Sequence, residues 1–129
     1  MGWAFVPPAS HAGGLRYHGM GPLVSQLVKL GEINPTAYSQ TDCFDAGITF
    51  ARAEGIVPAP EANHAVKGAI VEALRCKEEG TSRAILFNLC GHGYFDMQAY
   101  TDYNSGKLED YAYDESEVAM ALAGLPSIS

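Results

Sequence analysis

The apolar positions along this chain form one strong helical rhythm, several weaker ones and a single nearly unbroken apolar run. Ala62, Ala65, Val66, Ala69, Ile70, Ala73 and Leu74 recur at i, i+3 and i+4, the spacing that gathers side chains on one face of an α-helix. Pro60 stands before this stretch and Gly80 after it, residues suited to a first turn and to a stop. The stripe is rich in Ala, so a sheet or a second helix can approach it closely. Leu23, Leu27 and Leu30 predict a shorter helix from about Pro22, stopped by Gly31. Phe44, Ile48 and Ala51 predict another, capped near Thr41-Asp42 by a small polar residue and ended by Gly55. Arg83-Ala84-Ile85-Leu86-Phe87-Asn88-Leu89 alternates with nothing. Such a run predicts a strand covered on both faces, as in parallel sheets. Two further helical stretches, about Phe95 to Tyr103 and Glu115 to Ala123, make an acidic, Tyr-rich tail.

The pattern implies an α/β architecture with few parallel strands and packed helices. It reads as one domain over residues 1–129: a Gly/Pro-rich loop segment at 1–22, a helix-helix-strand core at 23–93 and a helical tail at 94–129. Pro7-Pro8, Gly13-Gly14 and Gly19-Met20-Gly21-Pro22 leave the first segment little room for regular structure. A doubly covered strand needs neighbours for both rows of its backbone polar groups. The chain offers only weak ones, at Ala4 to Val6 and Ala37 to Thr41. The sheet is therefore expected to be completed from outside, either by another polypeptide segment or by a homo-oligomer, with exchange of elements between copies.

Length, charge and cysteines narrow the functional classes. A chain of 129 residues has room for one modest core. Its net charge of −7, with no basic face, excludes nucleic-acid binding by phosphate neutralisation. No apolar run reaches the roughly 18 residues of a membrane helix. Met1-Gly2-Trp3-Ala4 lacks the basic-then-apolar pattern of a secretory signal. Cys43, Cys76 and Cys90 are odd in number, with no Cys-x-x-Cys pair and no zinc-type spacing, as expected of reduced thiols in the cytoplasm.

In open α/β sheets, ligands gather at the carboxyl ends of strands, where Cys90-Gly91-His92-Gly93 follows the predicted strand. Its glycines serve either close approach to a ligand or a tight strand-to-helix turn. Cys90, His92 and Asp96 are the candidate catalytic residues of a small hydrolase of esterase or lactonase type. Cys90 and His92 stand only two apart and need not face each other, and there is no Gly-x-Ser-x-Gly elbow. Glu61, in the first turn of the third helix, is favoured there by the helix dipole, worth roughly 0.3–1 kcal/mol. His11, His18, His64 and His92 are scattered without a carboxylate motif, so no metal site is expected.

Taken together, the motifs resemble a known family. Glu54-Gly55-Ile56-Val57-Pro58-Ala59-Pro60-Glu61, then His64-Ala65, then Phe87-Asn88-Leu89-Cys90-Gly91-His92-Gly93 with Asp96, are similar to the C-terminal part of tryptophan synthase beta chains. Phe5-Val6-Pro7-Pro8, His11-Ala12-Gly13-Gly14-Leu15-Arg16-Tyr17-His18-Gly19 and Ser105-Gly106-Lys107-Leu108-Glu109-Asp110-Tyr111 resemble the divergent second type. Arg16 stands where the commoner type carries Asp. The blocks lie in order and span nearly the whole chain.

The resemblance implies a fold type II pyridoxal-phosphate enzyme that joins serine and indole into tryptophan, with the cofactor as electron sink. It places Glu61 beside the cofactor ring, Cys90 at the pyridine nitrogen, where relatives carry a serine in its place, and Gly91 among the cofactor-binding residues. A thiol is the weaker donor. It also places the carbonyls of Tyr17 and Gly19 near a monovalent-cation site. The family's Schiff-base lysine and phosphate cup belong to an N-terminal region without counterpart here, and Lys29, Lys67, Lys77 and Lys107 match no catalytic lysine. Met1 falls just before the Phe5-Val6-Pro7-Pro8 block. The expectation is a truncated or split piece that binds no pyridoxal phosphate alone and needs a missing N-terminal segment. An autonomous hydrolase and a non-catalytic oligomerising domain are the alternatives.

Overall fold

The computed structural model describes residues 5–17, 19–112 and 114–126, and among these the regular structure is helical. After a 3-10 turn at Gly13–Leu15 come α1 (Pro22–Lys29), α2 (Gln40–Glu54), α3 (Pro60–Glu79), α4 (Met97–Asn104) and α5 (Glu115–Ala123). Their ends follow from local chemistry. Proline opens α1 and α3, where its missing N–H costs nothing. The Ser39 hydroxyl accepts from the Asp42 amide at 3.2 Å, which starts α2 at Gln40, slightly before the expected Thr41-Asp42. Gly55 and Gly80 end α2 and α3 in the left-handed region, at φ 71° and 65°.

Among the described residues the expected parallel strand does not form, and the wider α/β arrangement is not seen. Among the described residues the only β pairing is an isolated antiparallel bridge between Pro58 and His92. Residues 81–91 otherwise carry no regular structure. Of the weak partner strands, Ala4 lies outside the described residues, Phe5-Val6 is irregular, and Gln40-Thr41 belongs to α2. The physical reason is pairing: a strand exists only through a neighbour's hydrogen bonds. Nor is 83–89 covered on both faces. Leu86 is 96 % exposed while Phe87 is half-buried.

Contacts divide the chain into two compact units, residues 38–110 and residues 1–37 with 111–129. In the first, α2 packs on α3 and α4. Phe44, Ala99 and Tyr100 form its core, with Ile48, Val57, Tyr103 and Leu108 packed against them. The Phe44 ring meets Tyr100 edge-on at 5.0 Å and stacks on Tyr103 at 5.7 Å. The α3 stripe is buried at Ala62 and Val66 but open at Ala73 and Leu74. Gly47 of α2 faces Asn63 of α3 so closely that a Cβ there would lie 2.1 Å from Asn63 Oδ1.

In the second unit Phe5 and Ala12 are buried. Phe5, Val6, Glu117, Met120 and Ala121 line a cavity of about 370 Å³. The α1 stripe of Leu23, Leu27 and Leu30 stands exposed. Asp114 starts α5 by accepting from the Ser116 amide at 2.8 Å. Among the described residues no helix is long and apolar enough to cross a membrane.

Candidate functional site

Two short segments meet where α3 begins. The Ala59 amide donates to the Gly91 carbonyl at 2.8 Å, and the Gly93 amide donates to the Val57 carbonyl at 2.7 Å. This clamps Val57-Pro58-Ala59 against Gly91-His92-Gly93, with Glu61 two residues into the helix beyond. The glycines are needed for space. Neither Gly91 nor Gly93 has a positive φ, but a Cβ on Gly93 would lie 2.5 Å from the Pro58 carbonyl oxygen. On Gly91 it would come within 3.2 Å of the Ala59 Cβ. What their small size admits here is the Pro58 carbonyl at Gly93 and the Ala59 methyl at Gly91.

A buried polar group locks the same place from α4. Tyr100 Oη lies 2.6 Å from the Pro58 carbonyl and 3.1 Å from Asn63 Oδ1. A phenol has one proton, so it serves one acceptor at a time, and the shorter contact to Pro58 takes it. Asn63 is fully buried, and its Nδ2 as placed has no partner. Turning the amide makes Nδ2 the donor to the phenol oxygen and removes that orphaned donor. Burial raises the Tyr100 pKa above that of an ordinary phenol, which keeps the hydroxyl protonated as the clamp requires. Nothing in the apolar pattern singles out Tyr100. Asn63 left a faint signal, an amide next to Ala62 on the edge of an otherwise apolar stripe.

The sequence candidates are distributed around this clamp. Glu61 and Gly91 are half-buried and Cys90 is exposed. His92 is exposed, and its Nδ1 accepts from the Tyr94 amide at 3.2 Å. Its ring lies 4.7 Å from that of Tyr94 and 5.5 Å from that of Phe95. Asp96 holds the N-cap position of α4 without a side-chain cap bond, and its amide donates to the Gly93 carbonyl at 2.9 Å. No hydrogen bond joins the side chains of Cys90, His92 and Asp96. The other unit carries Tyr17 and Gly19, both exposed, while His18 lies outside the described residues. His64 Nδ1 is 3.1 Å from the Pro60 carbonyl, a local helix contact. Among the described residues no three His, Cys, Asp or Glu side chains converge as metal ligands would. Cys43 is a buried thiol, pushed up to about 12 first by desolvation and then by Asp42, and so chemically inert at neutral pH.

The clamp thus sits at the start of α3, beside the Gly-x-Gly loop. The chain is 61 % identical over 110 residues to "Tryptophan synthase beta chain 2" of Aquifex aeolicus, covering 85 % of this chain and 25 % of that protein. To the "Tryptophan synthase beta chain" of Thermococcus gammatolerans it is 54 % identical over 114 residues, or 88 % of this chain and 26 % of that one. To that of Pyrococcus horikoshii it is 50 % identical over 121 residues, 94 % of this chain and 26 % of the other. No family model matches. Over most of its length, then, this chain is homologous to tryptophan synthase beta chains, with type 2 proteins among them, and it spans about a quarter of theirs.

Proposed function

We propose that the chain is the C-terminal, cofactor-facing quarter of a pyridoxal-phosphate-dependent tryptophan synthase beta chain of the second type, unable to make tryptophan by itself. One observation carries this reading: identity of 50–61 % over most of this chain alongside coverage of only 25–26 % of each relative. The hydrogen-bonded clamp supports it, because it presents Glu61, Cys90 and Gly91 from one framework. On the same reading the carbonyls of Tyr17 and Gly19 serve a monovalent cation, residues 1–129 belong to one domain, and the protein works in the cytoplasm.

The residues present do not fit the whole cofactor. Pyridoxal phosphate needs an amine for its aldehyde and a cradle of donors for its phosphate. Lys67 is paired with Asp42 at 3.4 Å and Lys107 with Asp102 at 3.8 Å. Lys29 and Lys77 are exposed on helix surfaces. The amides of Ala59 and Gly93 are already spent on the clamp. The chain thus supplies a rim, and no reaction step is assigned to it alone.

Titration of the purified chain with pyridoxal phosphate is expected to leave no imine absorbance that survives gel filtration. A stable yellow adduct on a single lysine would overturn the reading. The hydrolase alternative rests on Cys90, His92 and Asp96, whose side chains share no hydrogen bond. Ester hydrolysis abolished by both Cys90→Ala and His92→Ala would revive it.

A further inference from the structure

The clamp makes no use of an apolar cavity of about 280 Å³ between α2, α3 and residues 85–87. Phe50 comes to it from α2, Val66, Ala69, Ile70 and Ala73 from α3, and Ile85 and Phe87 from the stretch that follows α3. Val66 is buried, while Ala73 and Ile85 are exposed and mark the opening. The Phe87 ring sits edge-on to Phe50 at 5.8 Å and forms an aromatic wall. The space follows from the sequence: α3 presents only methyl groups at Ala69 and Ala73, one turn apart, where longer side chains would fill it. The outer wall is fastened at its ends alone. The Thr81 amide donates to the Cys76 carbonyl at 2.9 Å, Arg83 pairs with Glu72 and Glu79 at 3.6 and 3.7 Å, and the Gly91 carbonyl accepts from Ala59. Between those anchors residues 82–90 are bare of backbone hydrogen bonds to other described residues, so the wall can yield to a guest.

We infer that this cavity is a binding site for a small neutral aromatic hydrocarbon, a single ring with a short alkyl arm. Size sets the upper limit. An apolar cavity of about 150 Å³ stays dry and takes benzene, so this one has room for a ring and a little more, at the lower end of ligand pockets. Charge sets the class. No lining residue has a polar side chain, so an ionised ligand would give up its hydration for nothing. An anion would also meet a chain of net charge −7. Shape favours a ring, because aromatic groups pack edge-on or offset and the Phe50–Phe87 pair offers both an edge and a face. The inference stands on the cavity and is independent of the family reading.

The test titrates the full chain with ethylbenzene while the methyl resonances of Val66, Ile70 and Ile85 are followed. Saturable shifts at those three, with the exposed Leu23 and Leu30 methyls unmoved, support the inference. Ala69→Leu combined with Ala73→Leu fills the space on a helix that tolerates Leu well, and should weaken binding at least tenfold at unchanged helical circular dichroism. Benzoate and benzylamine, charged relatives of similar size, should leave the three methyls in place. If the double variant loses its helices, these two decide the matter on the unaltered chain. No shift up to the solubility limit of ethylbenzene would overturn the inference. So would shifts shared equally with Leu23 and Leu30, an equal response to either charged probe, or binding that survives in a folded double variant. Shifts at the same methyls on raising protein concentration without ligand would make a second copy the occupant and overturn it too.

Discussion

Tyr100 shows how much a single residue settles here. Its ring belongs to the core with Phe44, and its hydroxyl ties α4 to the turn that opens α3. Gly93 and Gly47 are the matching absences: one makes room for the Pro58 carbonyl, the other for the Asn63 amide. Tyr100→Phe keeps the ring and deletes the hydroxyl, leaving the buried Pro58 carbonyl and Asn63 amide without it. Such a loss costs about 1–3 kcal/mol, to be read as a lower urea midpoint at unchanged slope. A change below roughly 0.3 kcal/mol would mean that water replaces the hydroxyl and that the clamp is not buried as described. The glycines of the Gly-x-Gly loop were legible in the sequence as glycines. Their cause was not, because the Pro58 carbonyl and Ala59 methyl they accommodate lie more than 30 residues away along the chain.

At the scale of elements, the helices are bounded by short-range chemistry, with one long-range exception. The Asp110 carboxylate accepts from the Thr41 amide at 3.0 Å and from its hydroxyl at 2.5 Å, and so caps α2 from the far end of its unit. The Gln40 side chain adds a bond to the Glu109 carbonyl. These Thr41 bonds hold the Asp110 carboxyl below the usual carboxylate range. A folded-state value below the unfolded one gives stability that is full above the unfolded pKa of about 4 and fades as pH falls through the lowered value. Asp110→Asn should therefore lower the thermal midpoint at pH 7. Asp110 is exposed, so solvent screening keeps the loss near the lower end of the capping range, about 0.5 kcal/mol. The two proteins should converge once the pH has fallen below that lowered value. An undiminished gap at that pH would show that lost geometry, not lost charge, is responsible. The α3 rhythm predicted its helix well because a period of 3.6 is written in neighbouring residues. The 83–89 run could not decide its own fate, since an apolar segment becomes a strand only when a partner supplies the ladder.

For the whole molecule, the decisive fact is proportion. The chain matches about a quarter of its relatives' length, and several of its large apolar side chains stand in the open. Leu23 and Leu30 on α1, Leu86 in the bare segment and Phe95 beside the clamp all stand in solvent. Apolar exposure within each unit binds hydrophobic dyes. The free chain should enhance anilinonaphthalene sulfonate fluorescence at neutral pH, and a chimera in which it replaces the 110 matched residues of the Aquifex aeolicus relative should do so several-fold less. Equal fluorescence from both would mean that these faces are ordinary surface.

By itself the sequence determined the helices, their stops and the likeness to tryptophan synthase beta chains, because periodicity, capping residues and ordered motif blocks are all carried by residues close together in the chain. Only the tertiary structure decided that Gly91 and Gly93 face Pro58-Ala59, that Tyr100 and Asn63 fasten that contact, and that 82–90 stays unpaired. Those outcomes depend on groups brought together from distant positions, and for the last on hydrogen-bonding partners found nowhere among the described residues.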